Sequence, residues 1–139
     1  MTQFVLDTDI LTLLRRQHPV VTGHAAAHPV ADLALTVITV EEQISGWYSQ
    51  LRRAKRKDAL ARAYQYLAET ATFLSGWKIL SFTEPAIDRY EQLKMLKINI
   101  GKDDLRIAAI TLENAAILVT RNTRDFQRVP NLTLEDWTV

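Results

Sequence analysis

Apolar residues along the chain form short continuous runs separated by stretches with helical spacing. Runs of this length, bounded by polar residues, are typical of buried strands, whereas apolar positions recurring every three or four residues indicate helices that bury one face. The predicted strands are 4–6, 33–38, 77–82 and 116–120, with a short last strand at 132–137. The predicted helices are 9–17, 19–27, 40–75 with a break near Lys57-Asp58, 83–97 and 105–112.

Strands that alternate with helices predict a parallel sheet, because each crossover carries a helix back across one face of the sheet. The sequence therefore predicts an α/β fold in three layers, α/β/α, around a central, mostly parallel sheet of four to five strands. The length of 139 residues fits one domain spanning 1–139.

Composition narrows the functional class mainly by exclusion. The chain has no cysteine, which excludes a disulfide scaffold, a thiolate metal site and a cysteine nucleophile. Its formal net charge of +1 excludes a strongly cationic polyanion binder. No apolar run approaches the ~20 residues that span a bilayer, and the first residues do not resemble a signal peptide. We therefore expect a cytoplasmic protein without a membrane partner.

One segment departs from this charge balance, with six cations in eleven positions opposed only by Asp58. Such a run is equally consistent with a surface that contacts an RNA phosphate backbone and with a solvated helix face. The cations are Arg52, Arg53, Lys55, Arg56, Lys57 and Arg62.

Acidic and polar residues follow the predicted strands at the point where each strand ends. Ligands of parallel α/β sheets bind at that edge, and carboxylates gathered there would raise one another's pKa unless a cation relieved the repulsion. Oxygen ligands without cysteine favour Mg²⁺ or Mn²⁺, which can activate water for attack on a phosphodiester. The residues are Asp7, Thr8 and Asp9, then Thr39, Glu41 and Glu42, then Thr120, Asn122 and Asp125, with Asp103 and Asp104 opening a helix.

Five segments resemble a known family in content and order. They are FVLDTDILTLL, TVITVEEQISG, GKDDLRIAAITL, ILVTRNTRDF and NLTLEDW, and together they span nearly the whole chain. The chain resembles the PIN-domain ribonucleases, and within them the VapC-type toxins of bacterial toxin–antitoxin pairs. The resemblance implies a PIN-like fold and a Mg²⁺- or Mn²⁺-dependent endoribonuclease that cleaves RNA, with tRNA or rRNA as the expected target. It also implies a VapB-like antitoxin that covers the acidic site, and a homodimer.

The resemblance assigns roles to individual residues. Asp7, Glu42, Asp104 and Asp125 match the family's catalytic, metal-binding acids, and Thr120 and Asn122 match polar residues that support them. Thr8, Asp9, Glu41 and Asp103 are further expected supporting residues. Three of these depart from the family pattern: Asp9 stands where Asn is common, Glu41 where a small apolar residue is usual, and Asp103 where an uncharged polar residue is common.

Each acid also has a purely structural interpretation. Asp7 can cap the following helix, Thr39-x-x-Glu42 reads as a capping box, and Asp103 and Asp104 are first-turn acids that favour the helix dipole. The three tryptophans, Trp47, Trp77 and Trp137, are more consistent with core positions than with base stacking.

Two other functional classes stay open at this point. Asp7-Thr8-Asp9 resembles the nucleophile motif of haloacid-dehalogenase-type phosphatases, and Lys102 with Asp103-Asp104 resembles their later lysine and acidic pair. Leu11, however, stands where that family expects Thr or Val, and its acidic pair follows a strand whereas Asp103-Asp104 is predicted to open a helix. A covalent aspartyl phosphate would distinguish that class. A non-catalytic RNA- or protein-binding module would keep its carboxylates only as helix caps.

Overall fold

Residues 2–139, the part of the chain that the computed structural model describes, alternate between strands and helices. The strands are β1 Phe4–Leu6, β2 Leu33–Thr36, β3 Lys78–Leu80, β4 Ile117–Val119 and β5 Thr133–Glu135. The helices are α1 Thr8–Arg15, α2 Pro19–Ala26, α3 Val37–Arg53, α4 Lys57–Ser75, α5 Glu84–Met95, α6 Lys102–Glu113 and α7 Thr123–Phe126, with a 3₁₀ turn at Val30–Asp32.

The five strands form one sheet in the order β3-β2-β1-β4-β5. Every neighbouring pair is parallel, and Phe4 in the central strand is in register with Leu33 on one side and Ile117 on the other. The predicted α/β/α fold is confirmed, with a sheet that is entirely parallel. All five strands therefore end at the same edge, and the chain leaves β1, β2 and β4 there at Asp7, Val37 and Thr120.

Successive residues of each strand point to opposite faces of the sheet, and both faces are buried. Val5 belongs to a core cluster that contains residues of α5 and α6, while Phe4 and Leu6 belong to a second cluster with residues of α1 and α2. Trp137 is fully buried in the second cluster, and its ring centroid lies 5.5 Å from that of Phe4. The two clusters join the helices on each face to the central sheet, which gives the three layers and holds the edge of the sheet from both sides.

The predicted end of β2 is wrong by two residues, and the predicted start of α3 is wrong by three. Strand pairing stops at Thr36, which lies opposite Leu80, and the chain turns into the helix at once. Thr36 is the helix cap, because its Oγ1 accepts a hydrogen bond from Thr39 N at 3.3 Å. The capping box of Thr39 and Glu42 is therefore absent, since both residues lie inside α3. This earlier start buries Ile38 in the first core cluster.

The long helical region divides into α3 and α4, which pack against each other as a hairpin. The break falls at residues 54–56, slightly before the predicted position, and Asp58 lies in the first turn of α4 where an acid is favourable. The core interpretation of Trp47 is wrong. Its side chain lies outside both core clusters and contacts Tyr66 of α4, with ring centroids 5.2 Å apart.

Within residues 2–139 we find no helix that combines the length and the apolar character needed to cross a bilayer.

Candidate metal centre

Asp7 lies at the junction of β1 and α1 and is buried, with 7% of its surface exposed. Its Oδ1 accepts a hydrogen bond from Ile10 N at 2.9 Å, so the capping interpretation is correct as geometry. Burial raises the pKa of Asp7 to about 6. Hydrogen bonds from Thr120 and Ile10 oppose that rise, and the charges of Asp9 and Asp104 add to it. Capping a helix does not require a buried carboxylate, whose ionised form is destabilised by loss of solvation. The burial of Asp7 therefore points to a second role for this residue.

Glu42 reaches the same region from the second turn of α3. Its Oε1 accepts a hydrogen bond from Thr8 Oγ1 at 2.6 Å, and Thr8 Oγ1 lies 3.0 Å from Thr39 Oγ1. Thr8 has one hydroxyl proton, so when it donates that proton to Glu42 the hydroxyl of Thr39 must donate to Thr8. Burial raises the pKa of the half-buried Glu42, against the hydrogen bond from Thr8. This chain of hydroxyls ties α1 to α3 and holds the carboxylate.

Asp104 arrives from the first turn of α6. The helix buries Leu105, Ile107 and Ala108 in the core, which fixes the first turn against the sheet edge. Burial raises the pKa of Asp104, and the charges of Asp125 and Asp103 raise it further. Three carboxyl groups from three different elements thus have raised pKa values for the same main reason, burial.

A cavity of about 260 Å³ collects these side chains. Among its described lining residues there is no Lys, Arg or His, and within residues 2–139 Asp7, Glu42 and Asp104 form no ion pair. It is lined by Asp7, Thr8, Asp9, Thr12, Glu42, Asp104, Asn122 and Phe126.

Four predicted residues lie elsewhere. Glu41 is exposed, and Asp103 is directed towards Arg106, with Oδ1 3.7 Å from its Nη1. Thr120 is fully buried beneath the cavity beside Asp7. Asp125 lines a neighbouring cavity of about 460 Å³.

Asp125 is held away from the first cavity by its own partners. Its Oδ2 accepts from Asn122 Nδ2 at 3.0 Å, and its Oδ1 pairs with Arg128 Nη1 at 3.1 Å. Arg128 in turn donates to the carbonyl oxygen of Asn99 at 2.6 Å. Asp125 therefore acts on the cavity through Asn122 and through its charge on Asp104.

Sequence reasoning missed three residues around the cavity. Thr12 lies one helical turn after Thr8 and donates to its carbonyl at 3.0 Å, a relation that four-residue spacing could have indicated. Phe126 forms an apolar wall and is fully buried. Arg121 pairs with Asp9 at 2.7 Å on the exposed rim, and no sequence signal connects residues 112 positions apart.

The donor set fits a hard divalent cation. Carboxylate and amide oxygens are the ligands that Mg²⁺ and Mn²⁺ prefer, and the cavity offers both together with buried negative charge. Within residues 2–139, however, no three acidic or imidazole side chains converge closely enough to form a ready-made cation site. The carboxylates surround a cavity rather than a closed coordination sphere. The chemistry of the site therefore fits the ion.

A fully parallel five-stranded sheet in an α/β/α sandwich, with acidic side chains gathered at its carboxyl edge, defines a PIN-like domain. No family model matches the chain. The chain is 28% identical over 141 aligned residues to Ribonuclease VapC1 of Haemophilus influenzae strain R2866, covering 97% of this chain and 98% of the relative.

Two solved structures extend the comparison to three dimensions. The chain matches a crystal structure of DNA-bound VapBC from Salmonella typhimurium with a TM-score of 0.80, covering 99% of both chains. At 24% identity that likeness establishes the fold. It also matches VapBC2 from Rickettsia felis bound to a promoter DNA fragment, with a TM-score of 0.71 and 26% identity, covering 98% of this chain and 99% of that one. The chain is thus similar over nearly its whole length to a VapC ribonuclease, and its fold matches that of chains in solved VapBC structures.

Proposed function

We propose that residues 1–139 form a single nuclease domain that acts as a metal-dependent endoribonuclease, the toxin of a VapBC-type pair. The observation that carries this proposal is the cavity in which Asp7, Glu42 and Asp104 meet without a protein cation. Buried like charges are costly, and chains keep them where function needs them. The full-length similarity to a curated VapC ribonuclease supports RNA as the substrate.

Asp7, Glu42 and Asp104 would hold Mg²⁺ or Mn²⁺, with Asn122 and Asp125 as outer partners. When bound, the ion would lower the pKa of water for in-line attack on a phosphodiester and stabilise the departing oxygen. The protein's contribution is to position the carboxylates. Thr8 and Thr39 hold Glu42 in place, and Ile10 N holds Asp7.

The surrounding residues keep this arrangement stable. Asp9 and Asn122 line the cavity, and Thr120 and Asp103 act on the carboxylates by hydrogen bonding and charge. Phe126 supplies an apolar wall that limits water on one side. Glu41, which is exposed, would have no part in the reaction.

The proposed partners follow from the same comparisons. The solved structures are of VapBC complexes, so we propose a VapB-like antitoxin as the partner of this chain. A homodimer, a cytoplasmic location and tRNA or rRNA as the target complete the proposal.

The phosphatase alternative has less support in the geometry. Asp9, its required acid, pairs with Arg121 on the exposed rim. The pair Asp103-Asp104 opens helix α6 instead of following a strand as that class requires.

The test is cleavage of purified tRNA and rRNA by the purified chain in Mg²⁺ or Mn²⁺. We expect discrete fragments that EDTA abolishes and that Asp104→Asn loses while staying folded. Asp88→Asn, an exposed acid on α5, is the matched control and should cleave like wild type. Cleavage in EDTA would contradict the metal requirement. Hydrolysis of a phosphomonoester with a phosphate covalently bound to Asp7 would favour the phosphatase instead.

A further inference from the structure

The acidic cavity continues into a groove along α3 and the α3–α4 hairpin. A second depression of about 280 Å³ shares Glu42 with the acidic cavity, and a third of about 360 Å³ shares Trp47 and Gln50 with the second. At 1.5 Å per helical residue, Trp47 lies about 8 Å from Glu42 along the axis and Arg53 about 16 Å. We call this path, lined by Gln43, Gly46, Trp47, Gln50, Arg53 and Tyr66, the hairpin groove.

Two aromatic side chains lie in the hairpin groove. Trp47 lines both depressions, and Tyr66 faces it from α4 with ring centroids 5.2 Å apart and planes tilted by 31°. Both rings lie outside the core clusters, and 41% of the Tyr66 surface is exposed. Aromatic rings kept out of a core and lining a groove are suited to stacking on flat ligands.

Positive charge surrounds the far end of the groove. Arg53 and Arg62 line the third depression, and Arg52, Lys55 and Lys57 adjoin it. Within residues 2–139 the basic run has one ion pair, between Arg56 and Asp58 at 3.2 Å. The other cations therefore lack a carboxylate partner in the described structure. The groove thus changes from carboxylates at one end to arginines at the other.

Gly46 is the third feature, because glycine inside a helix is unfavourable. A Cβ built on Gly46 would meet nothing within 4 Å, so no close packing requires glycine there. Gly46 is exposed and lines the second depression, where the missing side chain leaves open the path between the acidic cavity and Trp47.

We propose that the hairpin groove is a subsite for an unpaired segment of RNA. Bases stack on Trp47 and Tyr66, phosphates pair with Arg53 and Arg62, and the strand passes over Gly46 to the acidic cavity. Aromatic rings with unpaired cations along one channel are the features by which proteins bind single-stranded nucleic acid. This inference rests on the proposed ribonuclease function and adds that the bound RNA is single-stranded beside the cleavage site.

The test is binding of a fluorescein-labelled ten-nucleotide oligouridylate to the full chain in EDTA, measured by fluorescence anisotropy. Trp47→Ala should weaken binding between about fivefold and about 150-fold, the range for a base that can no longer stack on an aromatic ring. The weakening should be similar at each salt concentration, because stacking releases no counterions. Tyr48→Ala and Tyr64→Ala remove exposed aromatic rings from the same two helices outside the groove and should bind like wild type.

Two further binding experiments exclude a folding defect as the cause of weaker RNA binding. Gly46→Leu should raise the melting temperature, because leucine is the better helix former, yet weaken binding by filling the path. Gly46→Ala, a smaller change into open space, should bind more tightly than Gly46→Leu. An oligomer with abasic sites in place of its bases should bind wild type more weakly than the intact oligomer, and this difference should be smaller for Trp47→Ala, which keeps only Tyr66 for stacking.

Unchanged affinity in both Trp47→Ala and Gly46→Leu would overturn the proposal and leave the hairpin groove for a protein ligand. Because binding is measured in EDTA, this outcome is separate from the ribonuclease proposal, which fails only if wild type does not cleave RNA with Mg²⁺ or Mn²⁺.

Discussion

The acidic cavity and the hairpin groove differ in the sign of their charge and in how deeply the charged side chains are buried. The cavity draws its carboxylates from three elements, buries them and tolerates their mutual repulsion. The groove draws on two adjacent helices, and its cations lie in solvent where they cost little. A reacting centre needs groups held by a core, whereas a surface that only holds a charged strand does not. Changes to the carboxylates of the cavity should therefore affect rate and stability together, and changes to the cations of the groove should affect binding alone.

The largest effect should come from the neighbouring acids Glu42 and Glu41. Glu42→Gln should lower the cleavage rate by about 100-fold or more and raise the Mg²⁺ concentration needed, because Glu42 lines the cavity and receives the hydroxyl of Thr8. Glu41→Gln, the matched control one residue away and exposed, should stay near wild type in both. The measurement is the initial rate against Mg²⁺ concentration. A damaging Glu41 change with a harmless Glu42 change would show that the assignment is off by one residue.

The next effect is on the free energy of unfolding, and its size depends on pH. The folded state binds the proton of Asp7 more tightly than the unfolded chain, since its pKa is raised from 3.8 to about 6. The resulting stabilisation is full below pH 3.8 and is lost as the pH rises through about 6, which amounts to about 3 kcal/mol without metal. Asp7→Asn should therefore stabilise the metal-free protein at pH 7.5.

Urea unfolding of wild type and Asp7→Asn in EDTA at pH 7.5 and pH 3.5 measures this difference. The variant should be more stable at pH 7.5, and the two proteins should approach each other at pH 3.5. Equal stability at both pH values would show that Asp7 is not under electrostatic strain.

The basic run should alter binding and its salt dependence while leaving the cavity intact. Replacing Arg52, Arg53, Arg56 and Lys57 with alanine should flatten the log–log salt slope of RNA binding by about 0.7 for each phosphate that the protein no longer neutralises. Stability should change little, because all four side chains are exposed. Anisotropy titrations across a salt series give the slope, and an unchanged slope would assign the run to solvation or to a protein partner.

The smallest effect is expected at the cavity rim. Asp9→Asn removes the 2.7 Å pair with Arg121, in which both side chains are more than half exposed. Exposed pairs contribute about 0–1 kcal/mol, so thermal unfolding should shift little. A loss of folding as large as that of a core substitution would mean that the rim is part of the core.

The strands of the sheet and the polar residues at their ends were predictable, because both are determined by residues that are close together in the sequence. Buried strands appear in the sequence as apolar runs, and a parallel sheet brings the residues after each run to one edge, so Asp7 could be named from the sequence. The same logic placed Glu42 near that edge although the end of β2 was misplaced. Asp104 opens a helix, and its assignment came from the family resemblance.

The remaining features depend on contacts between distant residues. Thr8 meets Glu42 across 34 positions, and Trp47 meets Tyr66 only because α3 and α4 fold back on each other. Asp125 follows its strand as expected, but Arg128 draws it into the neighbouring cavity. Spacing along the chain identifies which residues reach an edge, and side-chain partners then decide where each one points.

The central claim is that the strain in the acidic cavity exists to bind a divalent cation. Thermal unfolding of wild type and Asp7→Asn at pH 7.5, with and without Mn²⁺, tests it directly. Without metal the variant should be the more stable protein. With Mn²⁺ at about 1,000 times its Kd the order should reverse, because the ion then adds about 4.1 kcal/mol to the wild-type protein that binds it, more than the about 3 kcal/mol that the buried Asp7 charge costs. An order that does not change on adding Mn²⁺ would contradict the claim.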